Sequence, residues 1–297
     1  MAFEPPERLV RALGETLGDA AGDWLEQLPG LTQEALSRRE LTAQRVQVPG
    51  GRSSLVVLVR YADGTPATLK VAPPVARPDL EQAALAHWGG FGAVRALDTR
   101  HDDGALLLER LQPEVSLRSL PEAKALLEAA GTVRRLWVEP PPAHRFETVA
   151  ERTTRQAVAL KEAPAEAQPL ATQALAVREE LTALPAEELL LHGNFRQGKV
   201  LAGERAPWLA VGPEPLIGER AYDLARLVRD RLEDLVATAG GASAARRRVN
   251  KLADALDVDR ERLRGWTLFR AVESGVRAAG AGRRQDAELL LEFAGWL

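Results

Sequence analysis

One stretch constrains the fold more than any other: Leu189-Leu-Leu-His-Gly-Asn-Phe-Arg-Gln-Gly-Lys-Val-Leu201, continuing into Trp208-Leu-Ala-Val-Gly-Pro-Glu-Pro215 and Ala221-Tyr-Asp-Leu224. The leucine run at its start is too short for a helix and reads as a buried strand. A polar loop follows from His192 to Lys199. Two further apolar pieces, Val200-Leu201 and Trp208 to Val211, lead to a Gly/Pro-rich turn and then a helix from about Ala221.

Composition narrows the class. The 297 residues fit one large or two modest domains. With 45% hydrophobic and 27% charged residues, the chain is that of a globular protein with a buried core. A formal net charge of -3 gives no basic footprint for nucleic acid and no polybasic membrane signal. The absence of cysteine removes disulfides, thiolate zinc sites and cysteine nucleophiles. His87, His101, His144 and His192 are scattered without ligand spacing, so no metal site is assigned. The start, Met1-Ala-Phe-Glu-Pro-Pro-Glu, has neither the charge nor the apolar run of a secretory leader, and no stretch is long enough to span a bilayer. The expectation is a cytoplasmic protein.

Along the chain, residues 1–40 read as a helical extension, 41–112 as a sheet with one helix, and 113–297 as mainly helical. Pro5-Pro6 starts a helix with Leu9, Val10, Leu13 and Leu17 as its stripe; Trp24, Leu25 and Leu28 form a second, ended by Pro29-Gly30, and Leu31 opens a third. Leu55 to Tyr61, the turn at Asp63-Gly64 and Ala67 to Val71 form a hairpin. Pro49-Gly-Gly-Arg-Ser-Ser54 is either a plain connection or a phosphate-covering loop. Ala93 to Leu97, the turn Asp102-Asp-Gly104 and Ala105 to Leu111 form another hairpin, its second strand buried on both faces. After Asp223 one helix runs through Leu224, Leu227, Val228 and Leu232, with Arg226, Arg229 and Arg231 mostly outside, and Arg246-Arg-Arg248 is a solvated helix face.

The central segment resembles the aminoglycoside/hydroxyurea antibiotic-resistance kinases. Their usual pattern is L-L-H-G-D-L-H-P-G-N-V-L, then W-L-A-I-D-P-K-P-L-V-G-D-P-A-Y-D-L, and the spacing here is the same. The resemblance implies an α+β, protein-kinase-like fold of aminoglycoside phosphotransferase type, with a small antiparallel-sheet N-lobe and a larger, mainly helical C-lobe. His192, Gly198, Trp208, Pro213, Gly218, Tyr222 and Asp223 keep the framework, with Asp223 bracing the loop at His192. Lys70, in Ala67-Thr-Leu-Lys-Val71, falls where the family's lysine meets nucleotide phosphates, and Glu81 falls on the helix glutamate that orients it. Taken singly, both read as surface charges; the family register makes them a pair. Glu109 and Leu111, in Glu109-Arg-Leu-Gln-Pro113, fall on the hinge whose backbone binds adenine. Trp266 and Glu273 fall on a late helix that lines the acceptor cleft, and read equally as packing and surface.

The reactive positions depart from the pattern. The family's catalytic-base aspartate falls on Asn194, its metal-binding asparagine on Lys199, its second metal-binding aspartate on Gly212 and its loop histidine on Arg196. Phosphoryl transfer needs a positioned hydroxyl and a divalent ion between phosphate oxygens. An amide is a poor proton acceptor, glycine has no ligand, and lysine repels a metal. Asp to Asn and Asp to Gly remove two negative charges; Asn to Lys and His to Arg add up to two positive ones. The resulting cationic site is expected to hold an anionic small molecule, with ATP or ADP held without magnesium as the nucleotide it would accept. Three functions compete: a kinase-fold protein that binds without transferring phosphate, a repurposed enzyme of bacterial secondary metabolism using Asn194, Arg196, Lys199 and Glu214, and a weak phosphotransferase in which Glu214 replaces the lost metal ligand.

Overall fold

The structure, a computed structural model, describes residues 3–98, 103–184, 186–237 and 239–297. His101, the Asp102 of the expected turn and the Pro185 that leads into the central segment lie outside them. The chain forms two compact units: residues through Ser116 with Leu201–Val211, and Leu117–Val200 with Gly212–Leu297.

In the first unit, α1 (Glu7–Leu17) and α2 (Ala20–Arg38) precede β1 (Thr42–Val46), β2 (Leu55–Arg60), β3 (Pro66–Val71), α3 (Pro78–Trp88), β4 (Ala96–Asp98) and β5 (Ala105–Glu109). The strands form an antiparallel sheet in the order β1-β2-β3-β5-β4. Alternation decides its faces. Leu55, Val57, Val59, Leu69, Val71 and Leu107 meet Leu9, Leu13, Leu28, Ala35 and Leu36 of the two helices in one core. Lys70, next to Leu69 and Val71 and opposite Val56, is therefore on the other face. The helical region is thus part of the sheet unit's core.

The hairpin turn is built as its sequence implies. Asp63 Oδ1 accepts from the Thr65 amide at 2.8 Å, and Gly64 takes a φ of +87°. Pro29-Gly30 does not end a helix, because α2 runs through both. The proline withholds one amide, a cost of about 3 kcal/mol. Leu28 before it and Thr32, Ala35 and Leu36 beyond it are buried, and at roughly 1.5–3 kcal/mol for each large apolar side chain the two leucines alone offset the break. Val10 is exposed, and Ala12 takes its place on the buried face of α1.

The first unit also takes in a later segment. β6 (Gln112–Ser116), β9 (Val200–Ala202) and β10 (Trp208–Ala210) form a small sheet. The Val94 amide donates to Ala210 O at 2.8 Å and the Ala210 amide to Gly92 O at 2.9 Å.

The second unit holds α4 (Glu122–Val133), β7 (Glu147–Thr148), α5 (Val149–Lys161), α6 (Gln168–Ala183), β8 (Leu189–Leu191), β11 (Leu216–Gly218), α7 (Arg220–Val228), α8 (Leu232–Val236), α9 (Gly241–Leu256), α10 (Arg260–Gly280) and α11 (Arg284–Ala294). β11 lies between β8, antiparallel, and β7, parallel. A capping box of Thr148 and Glu151 starts α5. The helix expected to run on past Val228 breaks instead, with Arg231 at φ +55° before α8. Arg248 supplies the reason. It is 3% exposed, not solvated, and its Nη1 donates to Val228 O at 2.8 Å and Asp230 O at 2.5 Å. The carbonyls at the end of α7 thus find a buried guanidinium in place of a further turn.

Arg39 is the buried charge that ties the first unit together. Its Nε donates to Asp98 Oδ2 at 3.1 Å, and Nη1 and Nη2 reach the Asp103 oxygens at 2.7 and 3.0 Å. Burial opposes charge on Asp103, but Arg39 outweighs it and holds the carboxyl below its ordinary value. Arg39→Gln leaves two enclosed carboxylates without their cation. It is expected to lower the unfolding free energy by about 3–5 kcal/mol in urea titrations; a loss under about 1 kcal/mol, the scale of an exposed pair, would contradict this role.

Candidate functional site

The loop after β8 is shaped by a buried carboxylate. Asp223, in the first turn of α7, is fully enclosed. Its Oδ2 accepts from the His192 amide at 3.0 Å and from Trp137 Nε1 at 3.2 Å, and its Oδ1 accepts from the Gly193 amide at 2.8 Å. Burial pushes its carboxyl above the ordinary value, against these donors and Arg270. Gly193 has φ +72°, and a Cβ there would lie 1.9 Å from Glu214 O, so only glycine fits. The Glu214 amide donates to His192 O at 2.9 Å. Arg270 Nη2 donates to Gly193 O at 2.9 Å and Nη1 to Tyr222 O at 3.0 Å, with the guanidinium over the Tyr222 ring. The expectation that Asp223 braces the loop is met atom for atom.

At the next residue the side chain is an amide with opposite needs on its two sides. Asn194 Nδ2 donates to Glu214 Oε1 at 2.6 Å, while Asn194 Oδ1 accepts from Arg226 Nη1 at 2.6 Å. The carboxylate and the guanidinium together dictate which way the amide faces. A carboxylate at 194 could accept from Arg226 but would offer Glu214 nothing.

Lys199 and Gly212 are likewise matched. Lys199 Nζ donates to Gly212 O at 3.3 Å, and a Cβ built on Gly212 would lie 2.5 Å from that nitrogen. The ammonium fills the space in which a side chain at 212 would begin. Glu214 is open to solvent on one side. Protein crowding on its other sides pushes its carboxyl up, but Arg226, Lys199, Arg152 and Arg270 outweigh that and hold it below its ordinary value. Arg226 is pushed down to about 10, first by burial and then by Arg270 and Arg196. Arg196 also opposes the effect of burial on Asp230, whose carboxyl stays raised and accepts from the Gln197 amide at 2.5 Å.

This donor set does not fit a divalent ion. Hard cations need several oxygen ligands, and here an ammonium and guanidinium groups crowd the loop while Asn194 spends its oxygen on Arg226. Among the described residues, no group of three or more histidines or carboxylates is arranged to hold a metal.

The other expected site residues separate into engaged and buried ones. In the first unit, Lys70 Nζ donates to Glu81 Oε2, as a pair with Glu81 nearly enclosed. The Glu109 carboxylate accepts from the Arg95 amide at 2.7 Å and from Arg205 Nη2 at 2.7 Å, so its side chain is spent on structure. Leu111 is buried beside Gly203. In the second unit, Trp266 is 1% exposed, packs edge-on against Tyr222 and Phe269, and donates to Glu219 Oε1 at 2.6 Å. It offers no surface to an acceptor, because the inner face of α10 is core. Glu273 is paired with Arg277 at 3.0 Å.

Arg226 and Arg229 do not lie outside, as helix periodicity suggests; both are half-buried. Sequence reasoning missed Arg226, although the signal was there. Asp223 and Arg226 are one helical turn apart and share a face, so fastening Asp223 to the loop carries Arg226 to it as well.

Glu214→Gln should show a pH-dependent stability deficit. Because the folded carboxyl is depressed, its contribution is present above the ordinary glutamate value of about 4.3 and is lost as pH falls through the folded value. Urea titrations should find the variant weaker than wild type near neutrality, with the gap closing in acid; a gap that widens in acid would refute the assignment.

Comparison with known proteins places this geometry. Residues 39–282 match the family model described as aminoglycoside/hydroxyurea antibiotic resistance kinase. A streptomycin 6-kinase of Streptomyces glaucescens is 35% identical over 280 residues, covering 92% of this chain and 90% of that one. A hydroxyurea phosphotransferase of Kitasatospora aureofaciens is 35% identical over 283 residues, covering 91% and 79%. Among solved structures, an amicoumacin kinase superposes with a TM-score of 0.67 at 13% identity, covering 94% of this chain and 95% of that one. An aminoglycoside phosphotransferase superposes at 0.63 and 14%, covering 89% and 96%. The kinase-like α+β fold is therefore shared with these structures, and the chain belongs to the aminoglycoside/hydroxyurea antibiotic resistance kinase family.

Proposed function

We propose that this family member holds an anionic small molecule, nucleotide-like in its phosphate or carboxylate groups, without transferring a phosphoryl group. The observation that carries the reading is the state of Asn194. Both ends of its amide are occupied, by Glu214 and Arg226 at 2.6 Å each, and neither end can take a proton from an attacking hydroxyl. Lys199 adds a fixed cation at the position where the family pattern has a metal ligand, and it can meet an oxyanion as a point charge. In the first unit Lys70 is kept, with Glu81 as its partner. ATP or ADP held without magnesium fits the charge at Lys199.

A second reading has support from the relatives. Relatives 35% identical over most of the chain carry the names streptomycin 6-kinase and hydroxyurea phosphotransferase. On that reading the chain is a weak small-molecule phosphotransferase that uses Glu214.

Incubation of the full chain with Mg-ATP and streptomycin or hydroxyurea separates the two. The expected result is no ADP above the protein-free blank, together with ATP binding in EDTA by titration calorimetry. The single changes Asn194→Asp, Lys199→Asn and Gly212→Asp should each stay at the blank, and the triple variant should rise above it. Wild-type turnover of the γ-phosphate would overturn the proposal in favour of the phosphotransferase.

A further inference from the structure

Three arginines of the second unit converge behind the loop at Asn194. Arg226 is in the last turn of α7, Arg229 follows its end, and Arg270 comes from α10; Arg226 and Arg270 reach the adjacent residues Asn194 and Gly193, and Arg229 reaches the Arg270 carbonyl. Their hydrogen bonds go to neutral acceptors. Arg226 Nη1 donates to Asn194 Oδ1 at 2.6 Å, Arg229 Nη1 to Arg270 O at 3.1 Å, and Arg270 to Gly193 O and Tyr222 O at 2.9 and 3.0 Å. Among the described residues, no carboxylate stands at ion-pair distance from any of the three, whereas neighbouring Arg277 has Glu273 at 3.0 Å.

Like charges brought together in a crowded place cost free energy unless an opposite charge joins them. Burial first and then mutual repulsion lower the basicity of Arg226 and Arg229; Glu214 and Glu273 offset only part of this. Arg226 and Arg229 are half-buried, and neither has an enclosed nitrogen lacking a partner. The donors they do not spend on Asn194 and the Arg270 carbonyl therefore reach solvent. Guanidinium donors that are fixed at one nitrogen and open at the others suit the planar or tetrahedral oxygens of a carboxylate or phosphate.

We propose that Arg226, Arg229 and Arg270 form an oxyanion site for a phosphate- or carboxylate-bearing small molecule, and that polycationic aminoglycosides are excluded from it. The inference rests on the anion-binding reading above and adds the location and the ligand class. It separates this chain from relatives named as streptomycin kinases, because streptomycin itself bears guanidinium groups. The cluster would meet it with like charge, which disfavours binding.

Titration calorimetry of the full chain in EDTA tests it, with inorganic phosphate and malonate as the anionic probes and streptomycin as the cationic one. Saturable phosphate or malonate binding that fades with added salt, without streptomycin binding, is the expected result. Arg226→Gln and Arg229→Gln should each weaken the anion by roughly tenfold or more, and Arg226→Lys should keep part of the affinity. Thermal melts of wild type need no variant: phosphate should raise the midpoint and streptomycin should not. Streptomycin binding, or phosphate affinity unchanged in both glutamine variants, would overturn the inference. Turnover of Mg-ATP on an anionic acceptor would defeat the reading of binding without phosphoryl transfer and leave the arginine site standing. ATP binding that ignores the arginines would do the reverse.

Discussion

The second unit is built around a carboxylate removed from water. Asp223 has no solvent contact, and its charge is met by the amides of His192 and Gly193 and by the Trp137 indole. A buried carboxylate is tolerated only where donors converge on it. That requirement bends the chain after β8 and fixes where the next side chains point. Gly193 can make the bend because it takes φ +72° and lacks the Cβ that would strike Glu214 O. Arg270 holds the same loop from its carbonyl side. The framework of the kinase family is thus kept by ordinary hydrogen-bond satisfaction, independent of the residues that follow.

Those following residues have changed as a set. Asn194 has an acidic and a basic neighbour and serves both, which an amide can do and a carboxylate cannot. Lys199 lies across the space above Gly212, and Gly212 gives it room. Each replacement is accommodated by another, so the altered loop is a consistent arrangement with charges of its own. Along α7 and across to α10, Arg226, Arg229 and Arg270 donate only to neutral oxygens. In the first unit Arg39 has two aspartates, Lys70 has Glu81 and Glu109 has Arg205, while Arg110 likewise donates to the Ala67 and Val59 carbonyls.

Much of this was legible from residue spacing. The sheet, its hairpins, the Lys70–Glu81 pair and the Asp223 brace all rest on short-range patterns or on a motif whose separations are unchanged. What resisted reading depended on residues far apart in the chain. Arg248, in α9, takes up the carbonyls at the end of α7 and so breaks a helix that periodicity would have continued. The packing of Leu28, Ala35 and Leu36 carries α2 through Pro29. Trp266 looked like a wall for a ligand because aromatic residues serve both core and binding surfaces, and its place beside Tyr222 and Phe269 is visible only in three dimensions.

By itself, the sequence determined the sheet hairpins, because strand alternation and turn chemistry act over a few residues, and through its resemblance to a family motif it determined the fold class and the altered loop residues. It also determined that the charges at Asn194, Lys199 and Gly212 differ from the family's pattern. Only the tertiary structure decided what those charges do. It joined Asn194 to Arg226 and Glu214 and set Arg229 on the Arg270 carbonyl. Electrostatic energy depends on distance and on the exclusion of water, and both are properties of the folded chain.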